Sequence, residues 1–133
     1  MNGATVKAYS KAKDGGKNLT ANFKVREFAC KDGSDVIFIS DGLVLVLQAI
    51  RSRFNKPVTI NSAYRTPAYN KKVGGETYSQ HQYGTAADIV VSGVRPAEVA
   101  AYAETLLIGT GGIGMYGTFT HIDVRKVKSR WKG

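Results

Sequence analysis

The sequence predicts an α+β fold in which a small antiparallel sheet packs against helices. Three observations predict it. Residues 40–55 and 95–107 repeat apolar side chains at helical spacing, residues 56–65 and 86–91 read as strands, and residues 111–126 read as a hairpin. Helices placed early and between strands, with antiparallel pairing late, are the order expected of an α+β domain. At 133 residues the chain is long enough for one core and one domain, residues 1–133, and no internal repeat or low-complexity run divides it.

Each element has a local reason. Residues 1–22 are polar and rich in Gly and Lys, which predicts a loosely held entry segment whose "TVKAYS" pairs as an edge strand. "SDGLVLVLQAIRSRFN" sets Leu43, Val44, Leu47, Ile50 and Phe54 on one helical face, with Ser40 or Asp41 as the N-cap. "KPVTINSAYR" alternates Val58 and Ile60 against Thr59 and Asn61, a strand that runs into a loop at Tyr64 and Arg65. Thr66 then caps a short helix that opens on Pro67 and stops at a Gly pair. "AADIVV" is a buried strand by its β-branched run. "RPAEVAAYAETLL" opens on Pro96 and carries Val99, Tyr102, Ala103 and Leu106 on one stripe. The hairpin runs from Ile113 to Tyr116, turns at Gly117 and Thr118, and returns from Phe119 to Val124.

Composition narrows the classes of function. The lone cysteine, Cys30, has no internal partner for a disulfide and no second thiol nearby for a zinc knuckle, so it reads as a core or loop residue. No stretch has the apolar length of a signal peptide or a membrane span, which predicts synthesis in the cytoplasm. Nineteen Lys and Arg against ten Asp and Glu give a net charge of +9, a field that favours polyanions such as nucleic acid, anionic lipid or a cell-wall polymer. The basic, aromatic tail "VRKVKSRWKG" contains no recognisable nucleic-acid module, and nucleic acid ranks last among those partners.

The chain has two histidines, and both lie beside aspartates in strands. His121 and Asp123 are two apart in "FTHIDV", so their side chains share a face. Asp88 sits between Ala87 and Ile89, where an unpaired carboxylate is costly. If "AADIVV" and "FTHIDV" are sheet neighbours, Asp88, His121 and Asp123 converge and the preceding loop brings His81 over them. Two imidazoles and a carboxylate with an open position suit a catalytic zinc ion; histidines that serve only as hydrogen-bonded structural residues are the other reading.

"SxHxxGxAxD", formed by Ser79, His81, Gly84, Ala86 and Asp88, lies between "SAYRTPAYN" and "GMYGTFTHIDVR". Together, from about Asn22 onward, these motifs resemble the zinc D-alanyl-D-alanine carboxypeptidase and endopeptidase family, which acts on peptidoglycan stem peptides and includes phage endolysins. The resemblance implies a zinc ion on the antiparallel sheet, held by His81, Asp88 and His121, with Arg65 binding a substrate carboxylate or carbonyl. Many relatives carry a catalytic Glu three residues before the last histidine, or a His-x-His pair; here Thr118 and His-x-Asp stand in those places. Asp123, which shares a face with His121, is then the expected general base, with orientation of His121 as its other reading, and Glu76 is an outside candidate for the base. Ser79 and Tyr116 are candidates for substrate hydrogen bonds, and Trp131 either covers the cleft edge or caps the core.

The expectation is zinc-dependent hydrolysis of a cell-wall peptide bond, either removal of a terminal D-Ala or cleavage of an internal bond. Zinc polarises the carbonyl and lowers the pKa of its bound water to ~7. A zinc-containing wall-binding module without turnover is the alternative. The expected partners are the peptidoglycan peptide and an anionic wall polymer. No membrane partner and a monomeric state are expected, with phage or prophage origin suggested by wall chemistry without a leader.

Overall fold

The computed structural model describes residues 5–133. β1 (Val6–Ser10) pairs antiparallel with β4 (Val36–Ser40), Ala8 opposite Phe38. Between them lie α1 (Lys11–Asp14), capped by the Ser10 hydroxyl, and a ribbon of β2 (Asn18–Thr20) with β3 (Phe23–Lys24). The edge strand forms as expected, and side-chain hydrogen bonds tie the segment to the start of β4. Asp35 accepts from the Ser10 hydroxyl at 2.7 Å and from the Ala12 amide at 2.8 Å, so local polar residues anchor what composition alone suggested would be mobile. The part of the entry segment at residues 1–4 lies outside the described residues.

α2 (Asp41–Phe54) starts at Ser40, whose hydroxyl accepts the Leu43 amide and satisfies one of the orphan donors of the first turn. It ends on Asn55 in the left-handed conformation at φ 52°. Leu43, Val44, Leu47 and Ile50 are buried, as the spacing predicts, and Cys30 joins the same core.

Five strands make the central sheet: β5 (Val58–Ser62), β6 (Ala86–Val91), β7 (Gly112–Met115), β8 (Thr120–Asp123) and β9 (Ser129–Lys132). Their order is β5-β6-β8-β7-β9, antiparallel throughout except for the parallel β7–β9 pair. β9 was not expected from its basic tail sequence. Arg130 anchors it by donating to the carbonyls of Leu107, Thr110 and Gly111 and by pairing with Glu104.

α3 (Pro67–Lys72) follows β5, and α4 (Pro96–Leu106) follows β6. α2 and α4 cover one face of the sheet, where Ala87, Ile89, Val91, Val99, Ala103, Ile113 and Ile122 are buried. Each large aliphatic side chain removed from water there contributes roughly 1.5–3 kcal/mol. Strand alternation turns Asp88, His121 and Asp123 to the opposite face. No helix among the described residues is long and apolar enough to cross a membrane.

Candidate metal centre

The antiparallel register of β6 and β8 sets Asp88 directly opposite His121. Asp88 Oδ1 lies 2.9 Å from His121 Nδ1. His81 arrives from outside the sheet, on a 3-10 turn (Gln80–Tyr83) that Ser79 caps and that Gly84 ends at φ 73°. Gly84 there is the glycine of the sequence motif, in a conformation that disfavours any side chain. His81 Nδ1 lies 2.7 Å from the Ala63 carbonyl, which can only accept, so Nδ1 carries the proton. Nε2, the nitrogen left free for a further partner, lies 3.3 Å from Asp88 Oδ2. The donor atoms of His81, Asp88 and His121 all lie within 4.8 Å of one another.

This donor set fits zinc. One imidazole presents Nε2 and the other Nδ1, each has its second nitrogen occupied by a protein acceptor, and a carboxylate completes the group. Burial raises the Asp88 carboxyl, but hydrogen bonds with His121 and His81 outweigh it and hold the group well below the usual carboxylate range. Burial would lower His121, yet its bonds to Asp123 and Asp88 leave it above the ordinary imidazole value.

Asp123 is completely buried and does not line the cleft. Its Oδ2 lies 2.8 Å from His121 Nε2 and accepts Arg125 Nη2 at 2.7 Å. Its Oδ1 accepts Arg125 Nε at 2.9 Å and the Arg125 amide at 3.1 Å. Both oxygens are thus engaged, on the side of His121 away from Asp88. Burial raises this carboxyl as well, and the bonds from His121 and Arg125 more than reverse the effect. Room for the carboxylate comes from Gly112, the residue paired with Asp123 on β7; a Cβ there would lie 2.2 Å from Oδ2. Sequence reasoning did not single out Arg125 or Gly112, although an Arg two residues beyond an in-facing Asp and a Gly-x-Gly strand were both visible.

His81, Asp88 and His121 lie in a cleft of about 770 Å³, also lined by Arg65, Glu76, Tyr116 and Trp131. Arg65 donates to Ser62 Oγ and to Asn70 Oδ1, both at 3.1 Å, and its Nη2 is 3.8 Å from Asp88 Oδ2. Asn70, a buried residue the sequence did not flag, also donates to the Glu76 carbonyl at 2.8 Å and so ties Arg65 to the loop that carries Glu76. The Glu76 carboxylate itself makes no hydrogen bond among the described residues. Ser79 lines the cleft too, but its hydroxyl accepts the His81 amide, which gives it a local capping task. Trp131 sits beside His121, with ring centroids 5.0 Å apart, and therefore forms part of the cleft wall.

A sequence model described as peptidase M15 matches residues 17–123, a span that includes His81, Asp88, His121 and Asp123. The chain is also similar to the zinc D-Ala-D-Ala carboxypeptidase of Streptomyces albus G, at 46% identity over 44 residues. Those residues are 32% of this chain and 17% of that protein, so the match spans less than a fifth of the relative.

Proposed function

The chain belongs to the peptidase M15 family, and from that premise we propose that it is a zinc-dependent peptidase acting on stem peptides of bacterial peptidoglycan. The observation that carries this reading is the meeting of His81 Nε2, Asp88 and His121 Nδ1 in a cleft that Arg65 also lines. A zinc ion bound by these three would polarise the scissile carbonyl and supply a water acidified to ~7. Arg65 is pre-oriented by Ser62 and Asn70 and offers its remaining N–H groups to a peptide carboxylate or carbonyl, a planar fork that Lys cannot imitate. Asp123 orients His121, and Arg125 holds Asp123 in place. That leaves the proton to be moved by a group facing the cleft. Glu76 is the carboxylate available there, on a loop tethered through Asn70.

Burial of Asp123 gives weight to a second reading, a zinc-containing wall-binding module without turnover. Digestion of purified peptidoglycan separates the two. Protein isolated without added metal should carry about one zinc per chain, since one three-ligand site is proposed. Mass spectrometry of the soluble products should find either free D-Ala or shortened cross-linked peptides, and this difference assigns the bond. Binding to the wall with no released fragment at full zinc occupancy would favour the binding module.

A further inference from the structure

The β7–β9 wall of the cleft contains a hydrogen-bonded aromatic pair, and β9 lies beyond the residues that match the family. Trp131 Nε1–H donates to the Tyr116 hydroxyl at 2.8 Å. An indole N–H can only donate, so the phenol oxygen is the acceptor and its own hydrogen remains to be placed. Among the described residues that hydroxyl has no other partner. Both rings are fixed from several sides. Tyr116 stacks on Phe119, with centroids 4.4 Å apart and planes 9° apart, and the Gly133 backbone abuts it so closely that a Cβ would lie 1.9 Å from the ring. The indole lies over Gly114, where a Cβ would stand 2.5 Å away, and the Arg125 guanidinium sits 5.4 Å from the ring centroid. Tyr116 and Trp131 line the same cleft as His81, Asp88 and His121.

We propose that Tyr116 is a substrate-binding donor whose hydroxyl hydrogen-bonds an acceptor oxygen of the bound peptide, a carbonyl or carboxylate. Trp131 is the positioning residue that turns it to that task. By occupying a lone pair of the phenol oxygen, the indole N–H biases the hydroxyl hydrogen away from itself, toward the open cleft. A bond between two neutral groups in a chain also polarises the next bond along it. The proposal rests on the peptidase reading, because it presumes a peptide in this cleft.

The test is a double-mutant cycle with Tyr116→Phe and Trp131→Phe, the latter keeping an aromatic wall while deleting the N–H. Each variant is checked for zinc content and thermal unfolding, then assayed at saturating zinc on a cell-wall pentapeptide, with peptide affinity measured separately by calorimetry. Tyr116→Phe should lose about 3–10-fold in kcat/KM, the scale of one hydrogen bond between neutral groups, with zinc affinity unchanged. Trp131→Phe should lose a smaller factor in the wild-type background and almost nothing in the Tyr116→Phe background, because its effect runs through the hydroxyl. Additive losses, or a Trp131→Phe defect that tracks zinc affinity, would overturn the proposal and reassign Trp131 to packing on His121. A Tyr116→Phe variant equal to wild type in rate and peptide affinity would overturn it as well. Wild-type protein that holds zinc but neither binds nor cleaves any wall peptide would be a different failure, that of the peptidase reading, and the subsite would fall with it.

Discussion

Replacing Asp123 by Asn separates positioning from proton transfer, and the structure fixes what the change removes. The carboxylate accepts from Arg125 Nε, Arg125 Nη2 and the Arg125 amide, and bonds to His121 Nε2, all within 2.7–3.1 Å. Asn has the same shape but one acceptor oxygen and an NH₂ group. Turned one way, the NH₂ faces His121 Nε2 and Arg125 Nη2; turned the other way, it faces Arg125 Nε and the amide. A donor meets a donor in either case, and His121 loses a charged partner. An orienting carboxylate of this kind contributes about 10–100-fold in metal affinity, which corresponds to roughly 1.4–2.7 kcal/mol. Competition with a chromogenic chelator should therefore find zinc bound that much more weakly by Asp123→Asn, and turnover should recover to near the wild-type rate when zinc is added in excess. A rate reduced by about 10²–10⁴ at full zinc occupancy, with no rescue by zinc, would refute the argument, because that is the cost of deleting a general base.

Other changes probe the remaining parts of the site. Glu76→Gln should keep zinc and fold while lowering kcat by about 10²–10⁴ if Glu76 moves the proton; an unchanged kcat removes it from the chemistry. Arg65→Lys should retain zinc and lose about 1.5–3 kcal/mol of transition-state binding, read as kcat/KM, since Lys cannot donate at once to Ser62, Asn70 and substrate. Gly112→Ala places a methyl 2.2 Å from Asp123 Oδ2 and should weaken zinc in the manner of Asp123→Asn; wild-type zinc affinity would show that the carboxylate has room to move. The pH response should change sign with metal. Without zinc, the raised His121 contributes stability that is complete below about pH 6.5 and is lost as pH rises through its folded pKa. Asp88 and Asp123, both lowered, contribute stability that is present above about pH 4 and lost as pH falls toward their folded values. Chelated protein should accordingly melt higher at pH 6 than at pH 8, and zinc should bind more tightly at pH 8, where the imidazole proton competes less. Zinc affinity that is flat across this range would contradict the assignment of His121.

The sequence made the local elements and the shared face of His121 and Asp123 legible for a common reason: both depend on short-range spacing. Ser40, Thr66 and Pro67 mark helix starts within a turn, and His121 and Asp123 share a face because strands alternate. β4 and β9 were less visible. Ile37 and Ile39 alternate in β4, but over five residues that continue directly into α2, and β9 owes its place to Arg130 contacts with Glu104 and with carbonyls some twenty residues away. Asn70 was hidden for the same reason. Its side chain joins Arg65 to the Glu76 loop, a link that exists only after α3 has folded. Asp123 was correctly placed beside His121, but its burial under Arg125 could not be read from a two-residue spacing.

Pleating ties the candidate metal centre to the core, so one register specifies both. Along β6, Ala87, Ile89 and Val91 face the helices while Asp88 lies on the opposite face; along β8, Ile122 faces the helices while His121 and Asp123 lie on the opposite face, His121 lining the cleft and Asp123 buried beneath Arg125. A slip of one residue in β8 would exchange the two sets, burying His121 and Asp123 among aliphatic side chains and exposing Ile122. The cost of stranding a buried charge exceeds that of losing any single ladder bond, so these polar residues themselves select the pairing that the core requires. β7 adds a second constraint. Ile113 pairs with Ile122 on the helix-facing side, whereas Gly112 and Gly114 present no side chain on the cleft side, where the Asp123 carboxylate and the Trp131 indole occupy the space. Glycine normally weakens a strand interior. Here the missing side chains admit two groups that bear on His121, its carboxylate partner and its aromatic neighbour, so the lost strand propensity is offset by an imidazole held from two directions.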